Sequence, residues 1–219
     1  MDVFDIIGPV MIGPSSSHTA GAVRIGRIAR ALLGERPVQA QIGLHGSFAK
    51  TYKGHGTDRA LAGGILGMEP DDERIRDSLD IAREQGLDIS FSPVHLDGAH
   101  PNTARMALTG ESGRKVTLLG ASVGGGSIHI TQVNGMAVDV SGEHATLIVL
   151  HKDAPGTIAA VTEELSTRGV NICNFRLARA HKGGNAVMTI EVDGTVDADL
   201  NQCVEQLPNV LSSTMLLPV

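Results

Sequence analysis

Between Ala145 and Leu217 the residue pattern leaves few folds open. Ala145 to His151 reads as a strand, Lys152-Asp153-Ala154-Pro155-Gly156 as a loop, and Thr157 to Arg168 as a helix with Ile158, Val161 and Leu165 facing inward. Val170 to Ala180 and Asn185 to Val192 form a hairpin, Asp197 to Leu207 a second helix, and Val210 to Leu217 a last strand. Strand, helix, strand, strand, helix, strand is the ferredoxin-like order. The polar, glycine-containing stretch Ser141-Gly142-Glu143-His144 precedes it, and there the pattern resets. This divides the chain into residues 1–142 and 145–219, two domains of mixed character, so the fold class is α+β.

The first domain carries the unusual chemistry. Phe4, Ile6, Ile7, Val10 and Ile12 make an apolar lead-in broken by Gly8-Pro9. Then comes Gly13-Pro14-Ser15-Ser16-Ser17-His18-Thr19-Ala20-Gly21, after which Ala20 to Leu33 reads as a helix closed by Gly34. Ile25, Ile28, Ala29, Leu32 and Leu33 recur at helical spacing and should face the core. Arg24, Arg27 and Arg30 should form a solvated side. One of Ser17, His18 or Thr19 is placed to cap this helix. A helix entrance of this kind favours a carboxylate or phosphate by about 0.3–1 kcal/mol from its dipole alone.

Val38 to Leu44 alternates as a half-buried strand, with His45 on its polar side and Ser47, Lys50, Thr51 and Tyr52 nearby. Gly54-His55-Gly56-Thr57-Asp58 repeats the opening logic. An imidazole between glycines sits directly before a helix from about Thr57 to Leu66, which Thr57 or Asp58 can cap. The glycines keep bulk away from the ring. Gly63, Gly64 and Gly67 mark a helix end or a tightly packed helix, Asp71-Asp72-Glu73 opens a third helix, and Ile89 and Phe91 mark a strand. Pro93 to Thr103 is a loop holding His95, Asp97 and His100. These are metal-ligating residue types, but their spacing matches no standard zinc pattern. Ala104 to Val140 reads as an antiparallel meander with turns at Glu111-Ser112-Gly113, Gly124-Gly125-Gly126 and Asn134-Gly135.

Composition narrows the function. Four Phe, one Tyr and no Trp argue against stacking platforms for single-stranded nucleic acid. A net charge of −6 without a basic block argues against a phosphate-backbone partner. No apolar run approaches a membrane span, and the N-terminal residues lack the pattern of a signal peptide, so the expected location is cytoplasmic. Cys173 and Cys203 alone cannot supply the three or four thiolates that an iron–sulfur cluster needs, and no metal site is expected in this chain.

The string from Gly13 to Gly21 resembles the hallmark of iron–sulfur-dependent (type 2) L-serine dehydratases, at the start of their beta chain. The likeness continues in His55-Gly56-Thr57-Asp58, in His100-Pro101-Asn102, in Gly124-Gly125-Gly126, and in a C-terminal segment similar to an ACT domain. The resemblance implies an allosteric-substrate-binding-like domain over 1–142 and an ACT domain over 145–219. It implies loss of water from L-serine followed by hydrolysis to pyruvate and ammonia. It also implies a [4Fe-4S] cluster held by a partner alpha chain. On that reading His55 is the first choice of base, with His18 and His100 as alternatives or helpers. Ser15, Ser16, Ser17, Thr19 and Asn102 would hold substrate. ACT domains commonly pair side by side and bind amino acids at the seam, which makes Asp153, Gly156, Asn171 and Asn174 candidate effector contacts. The competing reading is a purely regulatory serine-binding subunit, with all catalysis in the partner chain. It draws on a second likeness, to the allosteric substrate-binding domain of some phosphoglycerate dehydrogenases.

Overall fold

Helix α1 (Ala20–Leu33) runs through the middle of the first domain, and its bounds are those its periodicity predicts. Ile25, Ala29 and Leu33 are fully buried, and the Ile25 and Leu33 side chains each contribute about 1.5–3 kcal/mol on burial. Gly34 ends the helix at φ 73°, its N–H bonded to the Arg30 carbonyl. The computed structural model describes residues 11–194, 196–197 and 199–218, so the lead-in expected at Phe4, Ile6, Ile7 and Val10 lies outside the described residues.

The chain separates into two compact units, Met1–Gly135 and Met136–Val219. The first contains β1 (Pro37–Leu44), α2 (Gly46–His55), α3 (Thr57–Leu66), a short 3-10 helix (Glu73–Asp77), α4 (Ser78–Glu84), β2 (Asp88–Pro93), β3 (Thr103–Gly110), β4 (Lys115–Gly124) and β5 (Ser127–Val133). Its strands lie in the order β2-β1-β3-β4-β5. The β1–β2 pair is parallel and the other pairs antiparallel. Helix α1 packs across β3, β4 and β5 on one side and against α3 on the other. The α1–α3 contact is made by glycines. A Cβ on Gly64 would stand 2.1 Å from the Val23 carbonyl oxygen, and one on Gly26 would stand 2.6 Å from that of Leu61.

The second unit opens with β6 (Met136–Val140), which lies against β8 and β9. Then follow β7 (Ala145–Lys152), α5 (Thr157–Thr167), β8 (Ile172–Arg179), β9 (Asn185–Val192), α6 (Leu200–Glu205) and β10 (Val210–Leu216). The sheet order β10-β7-β9-β8, antiparallel throughout, is that of a ferredoxin-like unit, and the chain is α+β. Leu147, Val149, Val161, Leu165, Met188, Ile190, Leu200 and Val204 form its core. Ile158, expected inward, is exposed instead.

Several local expectations are corrected. None of Ser17, His18 and Thr19 caps α1 with its side chain. The chain is already coiled before the helix begins: the Ser15 carbonyl accepts from Thr19 N–H at 2.8 Å, and that of Ser16 from Gly21 N–H at 3.0 Å. Ser15 Oγ accepts from His18 N–H at 3.4 Å and is the side chain in the capping role. Neither Thr57 nor Asp58 caps α3, because Gly56, at φ 71°, holds both the end of α2 and the start of α3. Gly54 does not clear space for His55, since a Cβ there would meet nothing within 4 Å. Arg24, Arg27 and Arg30 are half-buried and partnered rather than solvated. Arg24 Nη1 donates to the Gly126 carbonyl at 2.8 Å, Arg27 pairs with Glu69, and Arg30 Nη1 donates to the Ile65 carbonyl at 2.9 Å. The third helix starts as a 3-10 turn, where the Asp72 carboxylate accepts from Arg74 N–H, and only then becomes α4. The second helix of the C-terminal unit, Leu200–Glu205, is shorter than expected.

Candidate active site at the entrance of α1

Helix α2 is the element that the sequence pattern missed, and it assembles the site. Only Phe48 of its ten residues is buried, so it has almost no apolar stripe. Its start is fixed instead by the loop from His100 to Thr103. The Pro101 carbonyl accepts from Ser47 N–H at 2.8 Å, and His45 N–H donates to the Thr103 carbonyl at 2.9 Å. The approach is so close that a Cβ on Gly46, itself at φ 58°, would stand 2.6 Å from the Pro101 oxygen.

Ser47 and Thr51, one turn apart on α2, both face His18. His18 Nε2 lies 3.3 Å from Ser47 Oγ and 3.2 Å from Thr51 Oγ1. The Thr51 hydroxyl donates to the Ser47 carbonyl at 2.8 Å, so it can only accept from the ring. Nε2 therefore carries the proton. Nδ1 is then the acceptor, and Ser15 Oγ donates to it at 3.3 Å while accepting from His18 N–H. The imidazole is 8% exposed and neutral. Burial holds its pKa below the usual histidine value, and the neighbouring His55 lowers it further.

His55, the last residue of α2, is exposed and meets the His18 ring edge-on, with centroids 4.8 Å apart at 89°. Phe48 flanks His18 at 5.3 Å. The structure thus brings His18 and His55 together. His100 sits at the other end of α2, which places it roughly 13 Å along the helix axis from His55 at 1.5 Å per residue. It is exposed, and its Nδ1 accepts from Asn102 N–H at 3.2 Å. His45, expected on the strand's polar side, is at the start of α2, where its Nδ1 accepts from Leu96 N–H at 3.2 Å.

The hydroxyls divide by task. Ser15 is committed to His18, and Thr19, 2% exposed, is turned back against Gly13. Ser16 and Ser17 are half-exposed at the mouth. In the same unit four buried polar atoms find no hydrogen-bond partner among the described residues: Asn102 Oδ1, Ser122 Oγ, Thr57 Oγ1 and Arg24 Nε. Asn102 and Ser122 are adjacent, since the Asn102 carbonyl accepts from Ser122 N–H at 3.0 Å. Burial pushes the Arg24 guanidinium pKa down, Arg27 adds to this, and Glu69 opposes it. Ser47 and Thr51, which the sequence offers as possible lining of the cleft beside His45, carry no local signal beyond their residue type.

Neither cysteine fits an iron–sulfur cluster. Cys173 is exposed on β8, Cys203 lies on α6 beside Arg168, and no group of three or more metal-ligating side chains occurs among the described residues. His95 Nε2 and Asp97 Oδ1 are 2.9 Å apart on the surface, a pair rather than a ligand set. Among the described residues no helix is long and apolar enough to cross a membrane.

In the second unit Asp153 accepts from Arg179 Nη1 at 2.8 Å and from Gly183 N–H at 2.9 Å, and these bonds, Gly183 first, hold its carboxyl below the usual range. Gly156 starts α5 at φ 88°. Asn171 Nδ2 donates to Asp193 at 2.6 Å and Asn174 Nδ2 to Glu191 at 3.2 Å. Asp153 and Gly156 stand at the Arg179 end of β8 and Asn171 at its start, about 25 Å apart at strand rise.

Comparison with known proteins matches residues 2–85 to the family described as serine dehydratase beta chain, and residues 147–212 to the AHAS small subunit-like ACT domain. The probable L-serine dehydratase beta chain of Bacillus subtilis (strain 168) is 47% identical over 214 residues, covering 98% of this chain and 97% of that one. The L-serine dehydratase beta chain of Peptoniphilus asaccharolyticus is 38% identical over 202 residues, covering 92% of this chain and 91% of that one. The D-3-phosphoglycerate dehydrogenase of Methanocaldococcus jannaschii is 32% identical over 104 residues, covering 47% of this chain and 20% of that one.

Proposed function

The chain belongs to the serine dehydratase beta-chain family, and on that premise we propose that its α1 entrance is one wall of a shared active site. The reaction is conversion of L-serine to pyruvate and ammonia by an iron–sulfur L-serine ammonia-lyase, with this chain as the beta subunit in the cytoplasm. The [4Fe-4S] cluster belongs to the alpha chain, because Cys173 and Cys203 do not fit it. The observation that carries the reading is a neutral, fully hydrogen-bonded His18 held edge-on to an exposed His55.

The roles follow from what each group has free. His55 is the base that takes the α-proton of serine. His18 has both ring nitrogens engaged, so it is a positioning residue that fixes His55 through ring contact. Ser16 and Ser17 hold the substrate carboxylate, and Ser15 and Thr19 shape the turn that presents them. The unpartnered Asn102 Oδ1 is an acceptor for the substrate ammonium group. His100, bonded to Asn102 N–H, steadies that loop. After loss of the α-proton and the β-hydroxyl as water, the enamine tautomerises to an imine, and water hydrolyses it to pyruvate and ammonia.

Residues 145–219 act as an ACT domain that senses an amino acid, with Asp153, Gly156, Asn171 and Asn174 as effector contacts. Within one copy these residues lie at two ends of β8. An effector that touches both sets needs a second copy alongside, which supports self-association through this domain. Purification of the chain with and without its alpha chain under anaerobic conditions, followed by assay of pyruvate from L-serine, tests the reading. Turnover should require both chains. The regulatory alternative is favoured by the partial likeness to D-3-phosphoglycerate dehydrogenase, and it predicts that the alpha chain alone is active.

A further inference from the structure

The first unit carries a second, separate hollow on the sheet face turned away from α1 and α3. Strand alternation sends Ala40, Ile42 and Leu44 of β1 into the helix-side core and Gln41 and Gly43 to the other face. There the ladder aligns Ser92, Gly43, Arg105, Leu119 and Gln132 in one row across five strands. In the next row Gln41 faces Ala107. Ala107 carries only a methyl group and leaves its part of the floor open. Over Gly43 the space is taken by Val94, since a Cβ there would come within 2.8 Å of Val94 Cγ1. The result is a cavity of about 410 Å³.

Its wall mixes apolar residues, Leu119 among them, with neutral hydrogen-bonding groups and one charge. Gln41, Ser90, Ser92, Thr117 and Gln132 supply amides and hydroxyls, and Arg105 is the sole ionisable group among the lining residues. Arg105 is exposed and has no carboxylate partner among the described residues. A lone guanidinium fork matches one carboxylate bidentately, and a ring of neutral donors and acceptors matches hydroxyl or amino groups beside it. The volume is that of a small-molecule site. The geometry points to a binding site for a small hydroxy- or amino-carboxylate on this face, apart from the α1 entrance and independent of the reaction proposed there.

The test uses the full chain and amide chemical shifts during titration with D-glycerate, L-serine and, as the competing anion, inorganic phosphate. Saturable shifts at Gln41, Ser90 and Ser92 with either carboxylate are expected, and Arg105→Gln should weaken that binding about tenfold or more, while Arg105→Lys weakens it less. Ala107→Leu keeps the charge but fills the floor, and it should abolish the shifts while leaving the folded spectrum intact. Carboxylate-induced shifts that persist in Arg105→Gln would overturn the assignment. So would phosphate binding more tightly than both carboxylates, or these amides responding only to protein concentration as copies of the chain associate.

Discussion

In the first unit, Arg24 Nε, Asn102 Oδ1, Ser122 Oγ and Thr57 Oγ1 are buried without a partner among the described residues. In the second unit comparable groups are paired off. Arg168 donates to Glu164 and Asp199, Asp153 accepts from Arg179 and Gly183, and Asn171 and Asn174 each hold a carboxylate. His151 Nε2 is the exception there. A buried polar atom left unsatisfied costs about 1–3 kcal/mol, so a cluster of them is not neutral decoration. The contrast separates two states of polarity: in the second unit polar groups bond to one another, and in the first four buried atoms have no partner among the described residues.

The largest effect should come from His55→Gln assayed with the alpha chain present. Loss of a general base lowers turnover about 100-fold or more, with the cluster absorbance unchanged. Near-normal turnover would remove His55 from the mechanism and dissolve the contrast.

Gly64→Ala comes next. Its new methyl meets a helix carbonyl rather than a flexible side chain, and overpacking of this kind costs about 1–3 kcal/mol. Urea unfolding should show the loss in the first unit while the second keeps its midpoint.

A smaller effect is expected from acid. The folded chain holds the His18 pKa below its ordinary value of 6.5, whereas the unfolded chain takes up the proton near that value. The stabilising contribution is complete above that pH and fades as pH falls from it toward the lowered folded pKa. In His18→Asn the urea midpoint should vary less over this range than in the parent chain.

The smallest effect belongs to the second unit. Arg176→Gln breaks the 2.5 Å pair with Asp139, and an exposed pair of this sort is worth about 1 kcal/mol or less. Calorimetry should register only a slight fall in melting temperature. A large fall would mean that the second unit's ion pairs are more than surface closure.

Much of the fold was legible because its signals are local. Helix α1 has a complete apolar stripe and Gly34 behind it, and β3, β4 and β5 alternate between buried and more exposed residues. Helix α2 was not legible, because Gly46 and Gly56 bound a segment with one buried side chain, and its start depends on Pro101, more than fifty residues away. The site inherited that blind spot. His18 and His55 stand out by motif, but Ser47 and Thr51 sit on the missed helix, and the contact from Arg24 to Gly126 spans 102 positions. Hydrogen bonds at such separations leave no periodic trace.

The glycine seam between α1 and α3 has a consequence for evolution in the laboratory. Because carbonyl oxygens do the blocking at Gly26 and Gly64, no companion change of side chain can restore room for a methyl group. A saturation library should therefore show two empty columns at these positions, even on a stabilised parent and under a screen for expression alone. Engineers who wish to reshape the wall proposed for catalysis will have to work from its hydroxyls, leaving the seam untouched.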